Sequence, residues 1–178
     1  YTASDTLSLH DALPIYNAFL NIDNRKMSKS LGNFFTVREI GEKYDLQVLR
    51  FFMLNAHYRS PLNFSAELME ASKNALDRIV TCVDQMKHYL ESAQGEALTE
   101  KETVLVSEVE ELVKKYEEAM EDDFNTADAI AAVFEIVKLA NTNTDQESSQ
   151  AFIRFLFEKI TGLCDGCMRT LAYTHFHR

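Results

Sequence analysis

The sequence predicts an all-α fold in which a basic loop and short helices lead into an antiparallel helical bundle. Three observations carry this. Only 5 Gly and 2 Pro occur in 178 residues, too few for a loop-rich chain. Two capping boxes mark helix starts, at Thr36-Val37-Arg38-Glu39 and Thr99-Glu100-Lys101-Glu102, where a threonine and a glutamate three residues on can satisfy each other's backbone amides. From Ser65 to Leu163, apolar residues recur mostly at three- and four-residue spacing, the period of an amphipathic helix.

The elements follow in order. The first capping box predicts a short helix over about residues 37–43. Asp45 opens a second over about 46–56, and Leu46, Val48, Leu49, Phe51, Phe52, Met53 and Leu54 make it apolar almost all round, so burial on most sides is expected. Ser65 starts a long helix with an inner face of Leu68, Ala75, Ile79, Cys82, Val83, Met86 and Leu90, broken at Gln94-Gly95-Glu96. The second capping box opens a helix striped by Leu105, Val109, Leu112, Val113, Tyr116 and Met120. Asn125 caps the next, with Thr126, Ile130, Val133, Phe134 and Val137 on one face. A polar loop is expected at 141–149, and Phe152, Phe155, Leu156, Ile160 and Leu163 form the last stripe. Amphipathic helices joined by short polar breaks pack as a bundle.

Composition narrows the function classes. No apolar run approaches the roughly 20 residues of a membrane span, and three cysteines, an odd number, argue against a disulfide framework. A cytoplasmic protein with no membrane partner is the expectation. Charge is uneven: residues 25–60 hold seven Lys/Arg against three acids, a net of +4, whereas residues 61–178 carry −11. Phosphate contacts depend on Lys and Arg displacing counterions, so any nucleic acid should meet the chain along the basic N-terminal third.

Lys26-Met27-Ser28-Lys29-Ser30, running into Leu31-Gly32-Asn33, is the segment with the most chemistry. Two lysines three apart, separated by one apolar residue and a hydroxyl and followed by glycine, form a short loop able to bring two ammonium groups to one polyanion. A stray Lys-x-x-Lys pair is common on solvated turns; the full pentapeptide is far more specific.

It resembles the signature loop of the class I aminoacyl-tRNA synthetases. The flanking Asn17-Ala18-Phe19-Leu20-Asn21-Ile22, Asn33 to Ile40, Leu49-Arg50-Phe51-Phe52 and Ala56 to Ser65, with Met120-Glu121-Asp122-Asp123-Phe124-Asn125-Thr126 further on, resemble the cysteinyl-tRNA synthetase family and its DALR-type helical domain. The likeness covers roughly residues 16–165. It implies a domain plan: residues 16–64 as the end of a catalytic domain with the signature loop and stem-contact region, and residues 65–165 as the DALR-type bundle. Residues 1–15 resemble a translated sequencing adapter and are set aside as a non-native leader, and residues 166–178 read as an aberrant or disordered tail.

The resemblance implies a fragment of a ligase that activates cysteine with ATP, assisted by Mg, to the adenylate and passes it to tRNA(Cys). On this reading Lys29 is the main catalytic phosphate ligand and Lys26 its helper; Ser28 and Ser30 complete the ATP-binding loop, which Gly32 lets move, and Met27 anchors it by packing. Lys43, Arg50, His57 and Arg59 become candidates for tRNA contact. A simpler role for two of them is that Arg59 pairs with a carboxylate and His57 caps helix carbonyls. The family's ATP-holding His-Ile-Gly-His-type motif and its cysteine, histidine and glutamate zinc ligands are not among these residues, so the N-terminal catalytic half becomes an implied partner and the isolated chain is expected to be inactive. No metal site is assigned in this chain. Cys164-Asp165-Gly166-Cys167 with His175 and His177 has a zinc-like ligand count, but its spacing is cramped and an incidental thiol pair is the preferred reading. Cys82 is expected in the core, and Glu121-Asp122-Asp123 as dipole-favoured acids before a helix. The alternative function is a non-catalytic helical module that binds tRNA or protein.

Overall fold

The structure, a computed structural model, describes residues 18–93 and 95–168. Six helices dominate it: α1 Val37–Gly41, α2 Leu46–Leu54, α3 Ala66–Ser92, α4 Glu100–Glu121, α5 Thr126–Asn143 and α6 Gln150–Met168. Both capping boxes form. Thr36 Oγ1 accepts from the Glu39 amide while Glu39 reaches back to the Thr36 amide, and Thr99 with Glu102 repeats the arrangement. Asp45, Ser65 and Asn125 each accept a hydrogen bond at the helix start expected of them.

The all-α expectation misses one feature, a three-stranded sheet of β1 Leu20–Ile22, β2 Arg25–Lys26 and β3 Leu62–Phe64 in the order β2-β1-β3. β1 and β2 form an antiparallel hairpin across Asp23 and Asn24, both at positive φ, the backbone that a two-residue hairpin turn demands. β1 pairs with β3 in parallel, Leu20 opposite Leu62 and Ile22 opposite Phe64. Strands of two or three residues are too short to show alternation, and the parallel pair joins segments about forty residues apart.

Other boundaries shift for local reasons. α1 and α2 stop at Gly41 and Leu54, short of the expected ends. α5 runs on to Asn143, and in its last turn Thr142 and Asn143 donate side-chain hydrogen bonds to the carbonyls of Lys138 and Leu139. α6 carries helical backbone to Met168, three residues into the expected tail. In α3 the inner face is Met69, Ser72, Leu76, Ile79, Cys82, Val83 and Met86, while Leu68 is exposed. Ser72 occupies a core position that a count of apolar residues skips.

One contiguous core joins both parts of the chain. Val48, Phe51 and Phe52 of α2 and Leu62 of β3 pack with the inner faces of α3 to α6. Ala129, Ala132 and Ala140 are buried on α5, and such small side chains let neighbouring helices approach closely. α2 is not buried on most sides: Leu46 and Arg50 are exposed, and Leu49, Met53 and Leu54 are half-buried. Leu49, Met53 and Leu54 pack against the core on one side and, with Leu46, leave an apolar strip open on the other.

Candidate functional site: the lysine loop and the corner after α2

The hairpin β1–β2 delivers the chain to the lysine loop. Lys26 ends β2; Met27 and Ser28 are half-buried; Lys29 to Leu31 form a single 3-10 turn; Gly32 closes it at φ 67. An added Cβ at Gly32 would meet nothing within 4 Å, so glycine is needed there for its left-handed backbone and not for space. The turn is held by Leu31 N–H to the Ser28 carbonyl and Gly32 N–H to the Lys29 carbonyl, both 3.2 Å.

A side chain that motif reading passed over holds the loop as a whole. Asn33 accepts from the Ser28 amide at 2.9 Å through Oδ1 and donates from Nδ2 to the Lys26 carbonyl at 3.2 Å. One amide group thereby pins the backbone on both sides of Met27. Ser28 and Ser30 hydroxyls share a 2.7 Å hydrogen bond. Lys26 and Lys29 remain exposed, and Lys29 Nζ lies 5.3 Å from the Phe34 ring centroid. The loop thus presents two ammonium groups to solvent from a fixed backbone. The sequence offered only a weak signal for Asn33, a short amide directly after a glycine, a side chain that readily bonds nearby backbone; the bracket itself depends on the turn.

The tRNA-contact candidates divide. Lys43 is exposed beside a cavity of about 450 Å³ walled in part by Ile22, Phe35, Ile40, Tyr44 and Phe64. Arg50 is exposed on the outer side of α2. His57 and Arg59 sit together in the corner between α2 and β3 and share a partner, Asp123, with Tyr58. Arg59 Nε is 3.1 Å from Asp123 Oδ2, Tyr58 donates to Asp123 Oδ1 at 2.7 Å, and His57 Nε2 stands 3.7 Å from Oδ2. The Tyr58 hydroxyl, then the Asp123 carboxylate, push the Arg59 pKa above its ordinary value. Arg59 therefore does pair with a carboxylate. His57 does not cap α2, whose C-cap is Asn55; its Nδ1 accepts from the Arg59 amide at 3.2 Å. Asp123 is a cross-chain anchor, not simply a solvated acid.

Of the zinc-like residues at the C-terminus, the Cys167 side chain, His175 and His177 lie outside the described residues. Cys164 is buried, and among the described residues no group of three or more His, Cys, Asp or Glu could hold a metal ion. Cys82 is buried as expected, and burial pushes its thiol up to about 11. No helix among the described residues is long and apolar enough to cross a membrane.

Comparison with known proteins finds similarity over the same two parts of the chain. Residues 10–74 match the family of tRNA synthetases class I (C) catalytic domains, and residues 115–162 match the DALR domain. In this chain the lysine loop therefore lies in the segment similar to the class I tRNA synthetases, and the end of α4, α5 and most of α6 lie in the segment similar to the DALR domain. The chain's curated relatives are named cysteine–tRNA ligase. That of Lachnospira eligens is 58% identical over 85% of this chain and 32% of its own length, and that of Lachnoclostridium phytofermentans 53% identical over 85% and 33%. The chain spans about a third of the length of these relatives. A crystal structure of the ternary LeuRS–tRNA–LeuAMS complex of Agrobacterium radiobacter K84 superposes with a TM-score of 0.70, covering 84% of this chain and 20% of that one at 18% identity. At that identity the likeness is one of fold.

Proposed function

We propose that this chain supplies a cysteine–tRNA ligase with its ATP-phosphate loop and its tRNA-side helices. The observation that carries the proposal is the Asn33-pinned loop, which holds Lys26 and Lys29 on one short exposed turn. When the carboxylate of cysteine attacks the α-phosphorus of ATP and the bond to the departing pyrophosphate breaks, negative charge builds on the phosphates. Ammonium groups placed at that charge stabilise the transition state more than the ground state. Lys29 is the principal ligand and Lys26 its helper, with the Ser28 and Ser30 hydroxyls shaping the turn between them. ATP with Mg and cysteine are the small-molecule substrates; the zinc that selects cysteine in this family would be held by residues outside this chain. The activated cysteine then passes to tRNA(Cys), reached by the basic segment that contains Lys43, Arg50, His57 and Arg59.

The outer strip of α2 supports the same reading. Val37, Leu46, Leu49, Met53 and Leu54 border an open groove of about 430 Å³, a face suited to packing against the catalytic half of the ligase, and a cytoplasmic setting accords with this role. The test is Lys29→Ala in a ligase of the relatives' full length carrying this segment. Loss of one such contact costs roughly 3 kcal/mol, about a hundredfold in rate, so cysteine-dependent ATP–pyrophosphate exchange should fall by that order. Exchange at the parental rate would refute the assignment. The isolated chain should show no exchange.

A further inference from the structure

Three consecutive side chains of the corner after α2 converge on one carboxylate of the α4–α5 turn, and they also contact one another directly. The His57 ring stacks on Tyr58 with centroids 4.7 Å apart, the Arg59 guanidinium lies 5.4 Å from the centroid of the same ring, and Arg59 Nε donates to the Tyr58 hydroxyl at 2.9 Å. Tyr58 is the spine of the trio. Its hydroxyl accepts from Arg59 Nε and donates to Asp123 Oδ1 at 2.7 Å, while Arg59 Nη2 donates to the same oxygen at 3.3 Å and Nε approaches Oδ2 at 3.1 Å. A phenol, a guanidinium and an imidazole edge around one anion are the donor types that nucleic-acid binders place on backbone phosphates.

The present occupant is held in an uncomfortable way. Asp123 and Phe124 both adopt left-handed backbone, at φ 53 and φ 54, a conformation that non-glycine residues take at a cost. The pair is also wet: the Arg59 side chain is 69% exposed and that of Asp123 41%. Ion pairs at such exposure contribute little net stability, so a competing anion can replace the carboxylate. The trio also ends the basic stretch 25–60, where a polyanion would accumulate.

We infer that His57, Tyr58 and Arg59 form an anion subsite for an RNA backbone phosphate, and that Asp123 is its internal placeholder, displaced when RNA binds. This rests on the tRNA role proposed above. Exchange would release the 122–125 turn from the corner and so report RNA engagement to α4 and α5.

The test is binding of unfractionated tRNA to the purified chain, followed by fluorescence anisotropy across a salt series. Asp123→Asn should bind about fivefold tighter, the factor expected when a competitor worth about 1 kcal/mol is removed. The plot of log K against log salt should steepen by about 0.7 to 0.9, one additional phosphate contact. Asp123→Gly, which also relieves the left-handed backbone, should reproduce the gain if Asp123→Asn folds poorly. Asp122→Asn removes the same charge one residue away and should gain less than twofold. Arg59→Ala in the Asp123→Asn background should abolish the gain. Equal gains at 122 and 123, or no gain at 123, would overturn the placeholder while leaving the tRNA role intact. Absence of tRNA binding in every form would overturn both. Inorganic phosphate competing as well as tRNA, per mole of chain, would overturn the assignment to an RNA backbone.

Discussion

Ser149 donates its backbone N–H to Glu102 Oε1 at 2.8 Å, so one buried carboxylate closes the first turns of two helices. Its other oxygen accepts from the Thr99 amide at 2.8 Å and the Thr99 hydroxyl at 2.9 Å, while Ser149 Oγ accepts from the Phe152 amide. The starts of α4 and α6 are thus tied at a single side chain. Burial alone would raise the Glu102 pKa; the hydrogen bonds from Thr99 and Ser149 outweigh it and leave the carboxyl below its ordinary range.

Glu102→Gln should therefore destabilise the chain by about 1–3 kcal/mol, the cost of leaving buried donors without an acceptor, measured by urea unfolding at pH 7. The pH dependence has a definite sign. A carboxyl whose folded pKa is depressed contributes stability that is complete above its unfolded value, about 4.3, and is lost as pH falls through the folded value. The gap between parent and variant should be constant from pH 7 to about 5 and shrink below about 4. A gap that widens in acid would contradict the assignment.

The capping box that contains Glu102 was legible in the sequence, since Thr99 and Glu102 have the required spacing. The bond to Ser149 was not, because it joins residues 47 apart. The same division runs through the molecule. Helix starts at Thr36, Asp45, Ser65, Thr99 and Asn125 are local chemistry and were readable. The β1–β3 pair and the Asp123 anchor depend on tertiary placement. At the proposed site, the pair of exposed lysines was readable from the pentapeptide, whatever their role; the Asn33 bracket became visible only with the turn that folds it back onto Lys26 and Ser28.

Asn33→Ala should loosen the lysine loop while sparing the fold. It deletes two hydrogen bonds of a half-buried side chain, and each such bond contributes about 0.5–1.5 kcal/mol net. Hydrogen exchange at the Ser28 amide should speed up by at least about tenfold, whereas exchange in α3 and α5 should not change. Equal Ser28 protection in parent and variant would show that Asn33 does not hold the loop.

Cys82 should be inert in the native state. Its thiol is buried on the inner face of α3 and its pKa is pushed up to about 11, so almost no thiolate exists at neutral pH. Incubation with a thiol reagent at pH 7.5, followed by peptide mapping, should leave Cys82 unmodified in native protein and modify it after denaturation. Prompt native labelling of Cys82 would mean that α3 opens locally or packs differently.

Phe51 offers a test of whether the loop-bearing part and the bundle unfold together. It is fully buried on α2 yet meets Phe134 of α5 edge-on, with centroids 6.3 Å apart at 82°, and Arg78 of α3 covers the same Phe134 ring at 5.5 Å. A core shared in this way couples the two parts energetically. Phe51→Ala should cost about 3–5 kcal/mol through lost burial and a residual cavity. If the shared core makes one cooperative unit, helix loss by circular dichroism and loop opening by Ser28 exchange should shift to lower urea together. A shift of the loop signal alone, with the bundle transition unmoved, would show that the segment before Ser65 folds as an appendage to an independent bundle.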